Sequence, residues 1–131
     1  MLDRTDRHCR YFMRLLSSSV GLCTEMVTAA ALEHGDAEKL QSFDSSEHPV
    51  AFRIGGSDAS QMAMAAKMGP GAGYDEINTS VGCPSDRVQS CALGACLISH
   101  PETVADYVRA MQSVADVPVT IKTRISIDDF D

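Results

Sequence analysis

Short apolar runs alternate with longer amphipathic stretches along this chain, and turn-forming residues separate them. Four of these runs have strand length and are bounded by Gly, Pro or polar clusters. We predict β-strands within the ranges 22–27, 49–54, 74–81 and 118–124. Strands that alternate with helices are typical of βαβ units, so the pattern predicts an α/β fold with a parallel sheet and right-handed crossovers.

The stretches between the predicted strands have helical spacing or helical composition. We predict helices over 6–18, 59–68 and 102–115, with a helical turn from Ala29 to His34. The sequence Gly-Pro-Gly-Ala-Gly at 69–73 predicts that the second helix ends at residue 68. The first helix carries three arginines that we expect to form a solvated face rather than an RNA contact: Arg7, Arg10 and Arg14.

Charge and composition limit the classes of function. The 131 residues have a net charge of −7, which opposes strong nucleic-acid binding by this chain alone. The chain starts with charged residues and has no apolar run of membrane-spanning length, so we expect a cytoplasmic protein. Five cysteines, an odd number, are expected to be reduced thiols rather than a disulfide framework.

Candidate functional residues collect where the predicted strands end. In parallel α/β folds the chemistry lies at the carboxyl ends of the strands. The residues at these positions are Thr24, Glu25, Arg53, the segment 78–83 and Lys122.

Cys83 and Lys122 are the two strongest candidates for chemistry. Cys83 lies between Gly82 and Pro84, on a turn beyond the third predicted strand. An ordinary thiol has a pKa of about 8.5, so this one could act as a general acid or, once deprotonated, as a nucleophile. A small buried hydrophobe is the structural alternative. Lys122 could hold a flavin ring or a phosphate, or it could be a solvated lysine at the rim of the sheet.

The spacing of the cysteines does not favour a metal site. Cys83, Cys91 and Cys96 are separated by seven and four residues, whereas zinc and iron–sulfur sites favour tighter pairs such as Cys-x₂-Cys. We therefore expect no bound metal.

Several longer motifs carry a family resemblance. The most specific is VGCPSDRVQS at 81–90. The others are TDRHCRYF at 5–12, TEMV at 24–27, HGD at 34–36, EHPVA at 47–51, GGSD at 55–58, GYDEIN at 73–78, GACL at 94–97 and VTIKTR at 119–124. In these motifs the chain resembles the N-terminal half of the bacterial tRNA-dihydrouridine synthases, A-type branch.

The resemblance implies a fold and a reaction. The family fold is an FMN-binding (β/α)₈ TIM barrel followed by a helical tRNA-binding domain. We expect a partial barrel, approximately strands 2 to 5, without the C-terminal half-barrel and the helical domain, because a complete barrel needs about 250 residues. In the implied reaction, NADPH reduces FMN, the flavin passes a hydride to C6 of a tRNA uridine, and a cysteine protonates C5.

The resemblance also implies roles for individual residues. Cys83 falls on the catalytic cysteine, and Ser80 stands where relatives have a substrate-associated Asn. The residues that fall on flavin-contacting positions are Met1, Leu2, Arg53, Asn78 and Lys122. Arg53 replaces a Gln, which exchanges a donor–acceptor amide for a cation without an acceptor. Cys91-Ala92 replaces a Gly-Arg pair.

Two alternatives to this function stay open. The chain could be a non-catalytic remnant whose altered positions reflect relaxed selection, or another FMN barrel resembling dihydroorotate dehydrogenase. The sequence indicates no stable protein partner. For the chain as given we expect weak FMN binding or none and no tRNA reduction. The expected reason is that an incomplete barrel leaves two open sheet edges.

Overall fold

The computed structural model describes residues 5–84 and 93–125. Its helices are α1 (Arg7–Leu16), α2 (Ala29–His34), α3 (Ala37–Leu40), α4 (Ala59–Ala72) and α5 (Pro101–Gln112). Its strands are β1 (Leu22–Cys23), β2 (Val27–Thr28), β3 (Val50–Gly55), β4 (Glu76–Ser80) and β5 (Val119–Lys122). Short 3₁₀ helices occupy Ser45–Glu47 and Gly94–Ser99. In the part of the chain described, no helix combines the length and apolarity that a membrane span requires.

The strands form one parallel sheet in the order β1, β3, β4 and β5, with β2 also paired to β3. Leu22 lies opposite Val50, but Val27 lies opposite Ile54. The pairing therefore shifts by one residue between β1 and β2, so the predicted strand at 22–27 is present as two short strands with a bulge between them. The predicted α/β class with a parallel sheet is confirmed, and the arrangement is consistent with a partial (β/α) barrel.

The two faces of the sheet differ in character. Phe52, Ile54 and Ile77 are fully buried on the face that packs against α4 and α5. These helices contribute Met62, Ala65, Ala66, Tyr107 and Met111 to the same core. Side chains alternate between faces along a strand, so the positions between these residues point to the opposite face. That opposite face carries polar side chains.

Helix α4 is longer than the sequence predicts. It continues to Ala72 and ends at Gly73, whose φ of 96° is left-handed. The amide of Gly73 donates to the Pro70 carbonyl at 3.0 Å, and the Tyr74 amide donates to the Gly69 carbonyl at 3.2 Å. This is the Schellman arrangement of a helix C-terminus. The prediction that the helix ends at residue 68 is therefore wrong, because Pro70 removes one amide near the C-terminus while the glycine that terminates the helix comes three residues later.

Two of the three arginines of helix α1 contact the protein instead of solvent. Arg10 is buried and its Nε donates to the Glu47 carboxylate at 2.5 Å. Arg14 Nη2 donates to the Glu47 carbonyl at 2.8 Å. The expected solvated face is therefore wrong for Arg10 and Arg14 and holds for Arg7, which is exposed. A fully buried carboxylate requires a charged partner, and the guanidinium of Arg10 provides it at Glu47.

The apolar side chains of α1 are correspondingly exposed. Phe12, Leu15 and Leu16 have 57%, 68% and 69% of their surface accessible. The helix thus has the periodicity of an amphipathic helix, but its polar side carries the tertiary contacts.

Two short elements lie in the polar segment before β3, where the sequence analysis predicted none. Asp36 accepts from the Lys39 amide at 3.1 Å and begins α3. Asp44 and Glu47 form a reciprocal capping box at the second element. Both helix starts are visible in the sequence. An acidic N-cap residue begins each element, and in the second element a Glu follows three positions later, as in a capping box.

Candidate functional site

The polar face of the sheet brings several candidates together near the carboxyl ends of the strands. In the strand register, Arg53 lies opposite Asn78, and Asn78 lies opposite Thr120. One step further along, Ser80 lies opposite Lys122. Residues in register or two apart share a face. The structure therefore places Arg53, Asn78, Ser80 and Lys122 on one face of three adjacent strands.

Hydrogen bonds connect the side chains of this face in a row. Arg53 Nε donates to Asn78 Oδ1 at 2.9 Å, and Asn78 Nδ2 donates to Thr120 Oγ1 at 2.8 Å. The Thr120 hydroxyl donates to Glu76 Oε1. Asn78 is buried, with 7% of its surface accessible, so the oxygen and the nitrogen of its side-chain amide both need hydrogen-bond partners, and both have them.

The backbone of Arg53 is fixed from the other side. Its amide donates to the Thr24 hydroxyl at 2.9 Å, and this hydroxyl donates to the Glu25 carbonyl at 2.8 Å. Thr24 lies in the bulge between β1 and β2, where the regular pairing of the strands is interrupted. A threonine side chain thus replaces a backbone acceptor, and Arg53 keeps its strand position.

Two cations lie on this face without an acidic partner among the residues described. Arg53 is half-buried and Lys122 is exposed. The ion pairs of the described region involve other residues: Arg10 with Glu47, His34 with Glu33, His48 with Asp75, and Arg109 with Asp106. The terminal amines of Arg53 and the Lys122 amine are therefore available to an anionic or carbonyl-bearing ligand.

Cys83 lies three residues beyond the end of β4, and backbone hydrogen bonds hold its loop on two sides. The Val81 amide donates to the Lys122 carbonyl at 2.9 Å, and the Ala95 amide donates to the Cys83 carbonyl at 2.9 Å. Cys83 is half-buried. The first bond attaches the Cys83 loop to the end of the strand that carries Lys122, and the second attaches it to the 3₁₀ helix Gly94–Ser99.

Gly82 allows the Cys83 loop to pass close to the segment after β5. A Cβ at this position would lie 3.0 Å from Arg124 Cγ and 3.2 Å from the Thr123 carbonyl carbon. Both distances are tighter than ordinary contacts. A larger residue would move the loop away from the strand end, and the position of Cys83 depends on this loop.

A cavity of about 1150 Å³ lies beside this face, around the bulge between β1 and β2. Thr24 and Glu25 line it, together with Arg7, His34 and Lys39 among others. Arg53, Asn78 and Lys122 are not among its lining residues. The sequence candidates at the strand ends thus divide between two neighbouring regions.

Some predicted site residues lie outside the described residues. Met1 and Leu2 precede residue 5, and Cys91-Ala92 lies in the gap between 84 and 93. Two residues of the hydrogen-bonded row, Glu76 and Thr120, were not among the candidates predicted from the sequence. Each lies two positions before a predicted candidate on the same strand, Asn78 and Lys122 respectively, so the period of two was the available signal. Within 5–84 and 93–125, no group of three His, Cys, Asp or Glu residues is placed to hold a metal ion.

Comparisons with known proteins give the family. A family model described as "Dihydrouridine synthase (Dus)" matches residues 1–131. The tRNA-dihydrouridine(20/20a) synthases of Pseudomonas syringae pv. tomato and Salmonella typhimurium are 56% and 57% identical to the chain over 131 residues. The protein of the same name from Escherichia coli strain K12 is 56% identical.

These relatives are much longer than the chain. The alignment covers 100% of the chain but only 39% of the first two relatives and 38% of the third. The matched region is their N-terminal part. The resemblance stated from the motifs is confirmed along the whole length, and the chain belongs to the dihydrouridine synthase family.

Proposed function

We propose that this chain forms part of an FMN-dependent tRNA-dihydrouridine synthase, which reduces uridine in tRNA with NADPH as the source of electrons. The family membership supports the reaction class. The single observation that carries the site assignment is the shared polar face at the ends of β3, β4 and β5. It brings together Arg53, Asn78, Ser80 and Lys122, with Cys83 on the loop that follows. Because the chain spans 39% of its relatives, the activity is proposed for the whole protein.

The donor set on this face fits FMN. The pyrimidine ring of oxidised FMN presents two carbonyl oxygens and the ring nitrogen N1 as hydrogen-bond acceptors, together with N3–H as a single donor. Arg53 and Lys122 offer only donors and are cationic. Met1 and Leu2 are proposed as further contacts through their backbone, on the family resemblance alone.

When bound, FMN supplies the hydride that reaches C6 of the uracil ring, after NADPH has reduced it. The proposed role of Cys83 is to donate its thiol proton to C5 of the same ring. Hydride and proton together saturate the C5–C6 bond, and the resulting thiolate regains a proton from solvent. Ser80 replaces the amide that relatives have, and its hydroxyl is proposed to contact the uracil.

The net charge of the chain bears on which part of the whole protein binds tRNA. With a net charge of −7, the chain offers little general attraction to tRNA. We propose that tRNA is bound mainly by the parts of the relatives that this chain does not match, and that the chain alone binds FMN weakly and is inactive. A cytoplasmic location, with tRNA as the only macromolecular partner, belongs to the same proposal.

A chimera tests the proposed function. Residues 1–131 would replace the matching segment of the Escherichia coli relative, in a strain that lacks dihydrouridine in the corresponding positions. Dihydrouridine in purified tRNA is then measured by mass spectrometry. We expect the chimera to restore the modification, Cys83→Ala to abolish it, and Cys96→Ala to retain it. Cys96 is a matched control because it is also a half-buried thiol, held by a hydrogen bond to the Leu93 carbonyl.

The outcome separates the proposal from the remaining alternative. A chimera that is soluble but forms no dihydrouridine would support a non-catalytic remnant, in which Arg53 and Ser80 no longer serve the reaction. The double substitution Arg53→Gln/Ser80→Asn would then recover activity. The family match favours tRNA over the substrates of the dihydroorotate dehydrogenases.

A further inference from the structure

The hydrogen-bonded row on the polar face has a direction that its chemistry fixes. Arg53 Nε is a donor and never an acceptor, so the atom of Asn78 that faces it must be the oxygen. The amide nitrogen of Asn78 then faces Thr120, whose oxygen accepts. The single hydroxyl proton of Thr120 remains for Glu76, whose ionised carboxylate only accepts. Each hydrogen bond of the row therefore fixes the orientation of the next side chain.

The row also has opposite charges at its two ends. A positive guanidinium at one end and a carboxylate at the other polarise the intervening amide and hydroxyl in the same sense, which strengthens each bond. If the Asn78 amide turned over, its nitrogen would oppose the Arg53 donor and its oxygen would oppose the Thr120 oxygen. Thr120 and Glu76 therefore oppose this flip, although they lie on the far side of Asn78 from Arg53.

We propose that Thr120 and Glu76 are positioning residues, which fix the Asn78 amide and through it the guanidinium of Arg53. The anchored Nε leaves both terminal amines of Arg53 without a hydrogen bond to any described residue. The row thus presents donors to a ligand with an edge of carbonyl or ring-nitrogen acceptors. The identification of that ligand with FMN rests on the proposed function, whereas the positioning itself does not.

Substitutions at Thr120 separate positioning from packing. Thr120→Val keeps the shape and removes the hydroxyl, and Thr120→Ser keeps the hydroxyl. Because Thr120 is half-buried on a strand, Val is compatible with both its volume and its backbone. Glu76→Leu interrupts the row at its other end and serves as a second variant if Thr120→Val does not fold.

The direct readout is the Nε–H signal of Arg53 in ¹H–¹⁵N spectra of the labelled chain, assigned by its loss in Arg53→Lys. The hydrogen bond to Asn78 Oδ1 protects this proton from exchange with water. We expect Thr120→Val and Glu76→Leu to exchange about tenfold faster than the unmodified chain, and Thr120→Ser to stay within about twofold. Equal exchange rates in all folded variants would overturn the proposal.

Titration of the same samples with FMN separates this proposal from the proposed function. We expect FMN to shift the Arg53 signal in the unmodified chain and in Thr120→Ser. The same shift in Thr120→Val should require about tenfold more FMN. Faster exchange in Thr120→Val, with FMN shifting signals elsewhere in the chain but leaving the Arg53 signal unchanged in every sample, would support the positioning and overturn the flavin assignment. An FMN response of equal strength in all samples, with unchanged exchange, would overturn the positioning and support the flavin site.

Discussion

Two glycines in the last turns of α4 provide a sharp test of how this helix packs on the sheet. A Cβ on Gly69 would lie 2.3 Å from Ile77 Cδ1 and 3.4 Å from Phe52 Cδ1. Ile77 and Phe52 are fully buried, so neither side chain can turn toward solvent. In contrast, a Cβ on Gly71 would meet no atom within 4 Å.

The free energies of unfolding should change in opposite directions. Gly→Ala inside a helix gains about 1 kcal/mol from backbone entropy, and this gain applies at both positions. At Gly69, overpacking against Ile77 costs about 1–3 kcal/mol. We therefore expect Gly69→Ala to destabilise the chain by about 1 kcal/mol and Gly71→Ala to stabilise it by up to about 1 kcal/mol.

Urea unfolding followed by far-ultraviolet circular dichroism measures both changes. With a slope of about 2 kcal/mol per molar urea, Gly69→Ala should lower the midpoint by about 0.5 M and Gly71→Ala should raise it by a similar amount. Equal increases in both variants would refute the reasoning, because they would show that Ile77 rearranges freely and that the close approach of α4 imposes no constraint.

Two further predictions concern charged groups. Arg10→Met should lower the free energy of unfolding by about 3 kcal/mol, because Glu47 stays buried without its ion-pair partner. Arg10→Met/Glu47→Leu should regain about half of this loss in urea unfolding, and equal losses in the two variants would contradict the argument. Burial opposes the ionisation of Asp75, but hydrogen bonds from the Val50 amide and the His48 ring hold its pKa below 3.8. Stability from this carboxylate is present above the unfolded pKa and is lost as pH falls through the lower, folded pKa. Asp75→Asn should therefore flatten the decline of the urea midpoint as pH falls below about 4, and parallel profiles would exclude this role.

The exposed side of α1 shows why a local pattern does not decide which face is buried. Phe12, Leu15 and Leu16 have the spacing of a core face, yet they are more than half exposed. The buried carboxylate of Glu47, 37 positions from Arg10, determines the orientation of the helix. Periodicity reports that a helix has two sides, but only its neighbours decide which one packs.

The end of α4 illustrates the same limit for turn signals. Gly and Pro are strong indicators of a helix end, and the segment 69–73 contains four of them. The helix nevertheless continues through Pro70, because a proline removes only one amide and the left-handed Gly73 supplies the termination. Gly69 serves a tertiary role at the Ile77 contact, which its neighbours in sequence do not reveal.

The sequence by itself determined the order of strands and helices, the parallel α/β class, the family, and the residues at the strand ends. These depend on local apolar patterning and on motifs of several consecutive residues. Only the tertiary structure decided that Glu76 and Thr120, 44 positions apart, join Asn78 and Arg53 in one row. The register between strands sets such contacts, and register follows from the packing of the whole sheet rather than from any single strand.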